Sequence, residues 1–223
     1  MQNKNTTTTV SKAVISRLPR YYRYLRELLS KDILRISSGE LAKLMNVTAS
    51  QIRQDLNCFG GFGQQGYGYN VKDLYKTIGD ILGMNESYSA ILIGAGHLGQ
   101  ALATGTTFVG RGVHLRGIFD SDESLIGKEV GEFTVLPLSD LEACCAKWEP
   151  TIAVLAVPRT AAKEIAATLA TLKVKGIWNF TGEEITAGEE IAVENVQLGD
   201  LLMNLCYEIH AKEQNEPYET NEN

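Results

Sequence analysis

Gly94-Ala95-Gly96-His97-Leu98-Gly99 is a GxGxxG run that follows the apolar stretch Ala90-Ile91-Leu92-Ile93 and opens a helical pattern through Leu98, Ala101 and Leu102. Between a strand and a helix, such a run binds a dinucleotide. The first glycine permits a tight turn, the second lets the backbone approach a pyrophosphate, and the third lets the helix pack on the strand. The helix N-terminus favours the anion. Asp120, at the end of the next predicted strand, would accept hydrogen bonds from both adenosine ribose hydroxyls and repel a 2′-phosphate, so NAD(H) is expected over NADP(H).

Hydride transfer also needs a proton partner, and none suggests itself. The histidines are His97 inside the glycine run, His114 at a strand start and His210 near the end. Cys58, Cys144, Cys145 and Cys206 form no CxxC pair and have no histidine at metal-ligand spacing, so neither a zinc site nor a disulfide framework is indicated. The dinucleotide is therefore read as a signal, and an enzyme is the least favoured reading.

A second group of polar residues lies upstream. Ser37 followed by Glu40 forms a capping box that opens a short helix through Leu41 and Leu44. Asn46-Val47-Thr48 breaks that helix before another, about Ala49 to Cys58, capped by Thr48 or Ser50. This is a helix-turn-helix pattern. Its last helix turns Ile52 and Leu56 inward and Gln51, Arg53, Gln54 and Asn57 outward, which are side chains suited to base edges. Phe59 to Tyr69 then interleaves glycines with aromatics, as a short β-hairpin or wing would.

These groups need two scaffolds. Val14, Leu18, Tyr21, Tyr22, Leu25, Leu28 and Leu29 recur at helical spacing, with Pro19 kinking that helix or starting a new one; Arg17, Arg20, Arg23 and Arg26 fill the polar face. Val71 to Leu82 is an amphipathic helix with Leu74, Ile78, Ile81 and Leu82 on one face. Beyond residue 88, strands at 90–93, 115–119, 151–157, 176–180 and 191–196 alternate with helices at 97–108, 139–147 and 160–172, which predicts a doubly wound parallel sheet. The fold class is α/β, with a winged helix at 1–84, a Rossmann domain at 85–197 and a C-terminal segment at 198–223. In that segment Leu198, Leu201, Leu202, Leu205 and Ile209 form an apolar stripe that packs on its own domain or docks on a second subunit; a homodimer favours docking. Residues 212–223 are polar and expected to be disordered.

Residues 1–83 carry twelve Lys/Arg against six Asp/Glu, a net of +6, whereas residues 84–223 carry −12. Opposite charge suits two domains with different partners, the first a phosphate backbone. The 44% hydrophobic content fits a globular protein, and no apolar run approaches the roughly 20 residues of a membrane span. Met1 to Thr9 lacks a signal-peptide pattern, so a cytoplasmic location is expected.

The chain resembles the redox-sensing transcriptional repressor family Rex from about Ser11 to Tyr207. The resemblance rests on Ser16-Arg17-Leu18-Pro19, Tyr21-Tyr22-Arg23-Tyr24-Leu25, Ile36-Ser37-Ser38, Gln51-Ile52-Arg53 with Asp55-Leu56, Phe62-Gly63 with Gly66-Tyr67-Gly68-Tyr69, the glycine run, Phe119-Asp120, Val157-Pro158 and Gly176-Ile177 with Asn179-Phe180. It implies a homodimer with a swapped C-terminal helix, bound to a palindromic operator and released by NADH, at genes of fermentation and respiration. With it, the expected dinucleotide contacts are Gly94, Ala95, Gly96, His97, Leu98, Gly99, Asp120, Val157, Pro158 and Asn179. The expected DNA contacts are Arg17, Arg20, Ser50, Gln51, Arg53, Gln54 and Asn57, with Gln64, Gln65 and Tyr67 in the wing.

Some positions depart from the family pattern. Gln54 stands where the family has a lysine, and Gln64 and Gln65 where the wing has basic residues; each lost cation removes one phosphate contact. Gly105 replaces a tyrosine, Gln197 an aspartate that in the family links to the arginine matching Arg17, and Thr181-Gly182 an alanine-proline pair. These changes point to weakened discrimination between NADH and NAD+. A winged helix that makes only protein contacts is the rival reading.

Overall fold

The computed structural model describes residues 10–59, 63–64 and 67–214. Contacts divide the chain into two units, 1–86 and 87–223.

In the first unit, Ser11 accepts from the Val14 N–H and starts α1 (Lys12–Ile15), and α2 follows at Leu18–Leu29. Pro19 sits in the first turn of α2, where its missing N–H costs no helical bond, so it marks a new helix rather than a kink. After β1 (Arg35–Ile36), α3 (Ser38–Met45) opens on the expected capping box: the Ser37 hydroxyl accepts from the Glu40 N–H at 3.1 Å, and the Glu40 carboxylate accepts from the Ser37 N–H at 2.8 Å. Asn46, left-handed at φ 49°, ends α3, and Thr48 rather than Ser50 caps α4 (Ala49–Asn57).

Strands β2 (Gly63–Gln64) and β3 (Gly68–Asn70) form the antiparallel hairpin, and β1 adds to the other edge of β3. Two residues are too few for a sequence pattern, so β1 was not foreseen. A Cβ on Gly68, at φ +70°, would lie 2.6 Å from the Ile36 carbonyl oxygen; a glycine is what lets β1 and β3 meet. Asn70 caps α5 (Val71–Ile81). The core joins Leu18, Tyr21 and Leu25 of α2 to Leu41, Ile52, Leu56, Leu74 and Ile78. Ile81 was expected on this face but is 39% exposed; it is in phase with Leu74 and Ile78, yet the last turn of α5 leaves it incompletely covered.

The second unit is built on β4 (Tyr88–Ile93), β5 (Val113–Asp120), β6 (Glu129–Val130), β7 (Phe133–Pro137), β8 (Ile152–Leu155), β9 (Gly176–Asn179) and β10 (Ala192–Asn195). Their order is β10-β9-β8-β4-β5-β7-β6, and every pair is parallel except β6–β7. Without β6, this is the doubly wound order, and its topological switch point lies between β4 and β8.

Helix α6 (His97–Thr104) follows β4, α7 (Leu141–Trp148) follows β7 and α8 (Ala162–Thr171) follows β8. Ile91, Ile93, Phe119, Ala153 and Leu155 face α7 and α8. The alternate residues Leu92, Ile118 and Val154 face the α6 side, where Leu115, Ile152, Trp178 and Phe180 are only half-buried. Burial on both faces explains the near-continuous apolar strands. Strands β6 and β7 were not foreseen; they turn through Gly131-Glu132, with Gly131 at φ +61°, a two-residue hairpin turn.

Helix α6 ends at Thr104, capped by Gly105, short of the expected Phe108. Helix α9 (Leu198–Gln214) extends past the expected Lys212 and buries no residue: Leu198, Leu201, Leu202, Met203 and Tyr207 are each more than 60% exposed. Residues 215–223 of the expected disordered tail lie outside the described residues.

Candidate functional site

The carboxyl ends of β4, β5, β7 and β8 surround a cleft of about 850 Å3, a size ordinary for a nucleotide pocket. Gly94 and Gly96 line one wall, Asp120 and Asp122 another, and Val157 and Pro158 a third. The three glycines differ in what surrounds them. At Gly94 (φ +103°) a Cβ would stand 2.3 Å from the Ala156 carbonyl oxygen, and at Gly99 it would stand 1.9 Å from that of Gly94. At Gly96 a Cβ meets nothing within 4 Å. The outer glycines are thus required by the protein itself, while the middle one keeps space open. Gly96 is also the N-cap of α6 and offers no side chain to its first-turn N–H groups, which leaves them available to an anion.

Asp120 is fixed at the rim: one carboxylate oxygen accepts from the Ala95 N–H at 2.6 Å and the other from the Asp122 N–H at 2.9 Å. Glu142, near the start of α7, and Glu164, near the start of α8, bring the carboxylates around the cleft to four among the described residues, which place no lysine or arginine in its lining. Such a wall disfavours a further anion beside Asp120. Asp122, Glu142 and Glu164 were not singled out from the sequence, although Asp122 sits just beyond the end of β5 and the two glutamates in the first turns of the helices that follow β7 and β8.

Five of the expected contacts, Ala95, His97, Leu98, Gly99 and Asn179, do not line the cleft with side chains. Ala95 is buried, with its N–H on Asp120, and His97 and Leu98 point outward from the first turn of α6. Asn179 is 1% exposed and its amide is saturated. Nδ2 donates to the Glu183 carbonyl (2.6 Å) and Asn195 Oδ1 (2.7 Å), and Oδ1 accepts from the Thr181 N–H (3.1 Å) and hydroxyl (2.7 Å). Asn179 therefore ties β9 to β10 and the intervening loop. Glu183 of that loop pairs with Arg159 at 2.5 Å and Lys163 at 2.7 Å, which holds its carboxyl below the usual range.

On the first unit, α3 and α4 form the helix-turn-helix. Arg53, Gln54 and Asn57 are exposed on α4, and Arg53 Nη1 donates to the Ser38 hydroxyl at 3.1 Å. Gln51 and Arg17, both expected at the DNA, bond Asp55, which is 1% exposed. Arg20 donates to the Met45 carbonyl. Tyr67 is 70% exposed, with Arg35 of β1 6.0 Å from its ring. Gln64 lies on β2, and Gln65 lies outside the described residues. Among the described residues, no cluster of His, Cys, Asp and Glu could hold a metal ion, and no helix is long and apolar enough to cross a membrane.

A winged helix-turn-helix joined in one chain to a Rossmann unit with a glycine-walled cleft defines a ligand-responsive transcription regulator. A family model described as "Putative DNA-binding protein N-terminus" matches residues 9–57, and one described as "CoA binding domain" matches residues 85–182. The redox-sensing transcriptional repressor Rex of Thermoanaerobacter sp. (strain X514) is 47% identical over 206 residues, 92% of each chain. That of Clostridium botulinum (strain Hall) is 47% identical over 204 residues, 92% of this chain and 97% of the relative. Among solved structures, RSP in complex with β-NAD+ and operator DNA superposes with a TM-score of 0.85 at 47% identity, covering 93% of this chain and 95% of that one. RSP in complex with β-NADH gives 0.84 at 44% identity, covering 93% and 97%. The chain belongs to the Rex family of redox-sensing transcriptional repressors.

Proposed function

We propose that this chain, as a homodimer, binds a palindromic operator through α4 and the hairpin, and that NAD(H) in the second unit sets its affinity. The observation that carries the ligand half is the open space at Gly96 beside the uncapped start of α6, with Asp120 fixed across the cleft. Gly94, Gly96, Val157 and Pro158 would hold the pyrophosphate side and Asp120 the ribose. When bound, the dinucleotide supplies the redox signal; no step of hydride chemistry is assigned to this chain. Operator DNA, β-NAD+ and β-NADH are the partners of the RSP structures, which supports carrying them over.

The DNA half rests on Arg53, Gln54 and Asn57 exposed on α4, with Ser50 exposed beside them and Gln64 and Tyr67 at the hairpin. The dimer rests on α9, whose apolar residues occupy most of its circumference, as expected of a helix that is covered in its working state. The half-buried Leu115, Ile152, Trp178 and Phe180 offer a matching apolar face for the same helix of a second copy. Dinucleotide binding would then shift the placement of two recognition helices, whose spacing decides operator affinity.

The test is fluorescence-anisotropy binding to a Rex-type palindrome at fixed salt, with and without NADH and NAD+. Tight binding lost on adding NADH supports the reading; binding that ignores both nucleotides removes the sensor. Arg53→Ala should abolish operator binding with the dimer intact, and retained binding would favour a winged helix that makes only protein contacts.

Weakened discrimination between NADH and NAD+ is favoured by one local observation. A Cβ at Gly105 would lie 2.7 Å from the Ala101 carbonyl oxygen, so the tyrosine of the family pattern does not fit this helix end as it stands. Comparable affinities for the two forms are expected, and a strong NADH preference would refute this.

A further inference from the structure

Asp55 is a charged residue placed where an apolar one would serve packing. It lies on the inner face of α4 between Ile52 and Leu56, both buried, and is itself 1% exposed. Burying a carboxylate is costly unless its lone pairs are filled, and here four donors fill them. Arg17 makes a two-pronged contact, Nε to Oδ2 and Nη2 to Oδ1, both at 2.7 Å. The Tyr21 hydroxyl donates to Oδ2 at 2.9 Å, and Gln51 Nε2 donates to Oδ1 at 2.7 Å.

The donors come from three places: the residue preceding α2, the first turns of α2 and the first turn of α4 itself. A two-pronged guanidinium–carboxylate pair fixes orientation as well as distance. Replacing a buried ion pair by well-packed apolar residues is often neutral for stability, so its use is better sought in geometry. Two residues facing outward on the helix-turn-helix are held by this one carboxylate. Gln51 is folded back one helical turn onto Asp55, and Arg17, one-third exposed, is clamped against the base of α4.

We propose that Asp55 is a positioning residue for operator reading: without touching DNA, it sets the angle of α4 on α2 and the rotamers of Gln51 and Arg17. The proposal rests on the DNA-binding reading above. Gln51 is then presented to a base edge in one pose, and its unbonded carbonyl side determines which edge it reads.

The test is a double-mutant cycle on the full chain, read by anisotropy on the operator, on operators altered one base pair at a time, and on unrelated duplex. Asp55→Asn keeps the shape and one acceptor but removes the two-pronged pair. It should weaken operator binding by about tenfold, flatten the preference at one or two base pairs, and leave the slope against log salt unchanged, because phosphate contacts are kept. Gln51→Ala with Asp55→Asn should be no weaker than Asp55→Asn alone within about twofold, since both act on one contact. Additive losses, or equal losses on every duplex, would assign Asp55 to folding and overturn the proposal.

Should Asp55→Asn unfold, Tyr21→Phe removes a single donor and should give a smaller loss confined to the operator. The Arg17 Nε–H resonance of the free protein should be exchange-protected in the wild type and lose that protection in Asp55→Asn; an unprotected wild-type signal also overturns the proposal. Wild-type protein that ignores all duplexes, with Arg17 protected, would instead overturn the DNA-binding reading itself.

Discussion

Replacing Gly96 by alanine separates the needs of the ligand from the needs of the fold. The φ of Gly96 is −69°, which alanine adopts freely, and the added Cβ has no protein atom within 4 Å. Alanine is a poorer N-cap than glycine, but it also lowers the entropy of the unfolded chain by about 0.4–1 kcal/mol, and the two effects roughly offset. The unfolding midpoint should therefore move by only about 2–4 °C. The same methyl occupies the approach to the N-terminus of α6, where a pyrophosphate would accept two charge-assisted hydrogen bonds worth about 1.5–3 kcal/mol each. Losing both at the lower figure costs about 3 kcal/mol, or about 150-fold in Kd. Titration calorimetry with NADH and with NAD+, beside scanning calorimetry of the same samples, reads both quantities. Binding within about threefold of wild type by a folded Gly96→Ala protein would show that the pyrophosphate does not pass this residue.

Gly99→Ala should behave in the opposite way: its Cβ would stand 1.9 Å from the Gly94 carbonyl oxygen, so α6 must move off β4, and the second unit should lose about 1–3 kcal/mol or more by calorimetry. Leu201→Asp with Leu205→Asp, at positions 63% and 53% exposed, should leave the chain folded but monomeric in light scattering; a retained dimer would refute the assignment of α9. Burial pushes the Asp55 carboxyl up, but hydrogen bonds from Arg17, Tyr21 and Gln51 outweigh it and hold the group below its ordinary range. A depressed carboxylate stabilises the fold above its unfolded pKa, about 3.9, and that contribution is lost as pH falls through the folded value. The acid-induced drop in midpoint below about pH 4 should therefore be smaller in Asp55→Asn than in wild type.

What the sequence could determine was whatever neighbouring residues settle among themselves. The Ser37–Glu40 capping box closes over three residues, so its types alone predicted both of its hydrogen bonds. The glycine run between a strand and a helix likewise needs only its own βα turn, and the expected strand–turn–helix is present with Asp120 across from it. Strands buried on both faces read as apolar runs, which made the parallel sheet legible; β1 and β6 are two residues each and exist only through their partners.

The tertiary structure decided which polar groups would find one another. Asp55 is 38 residues from Arg17 and 34 from Tyr21, and Asn179 is 16 from Asn195. Nothing in the spacing marks those pairs, because a side chain's donors and acceptors are assigned by whichever element packs against it. The Asn179 amide, for instance, is saturated inside the unit by Glu183, Asn195 and Thr181. Burial leaves a polar group no water to bond, so its partner must come from the packed neighbour, and only the fold says which neighbour that is.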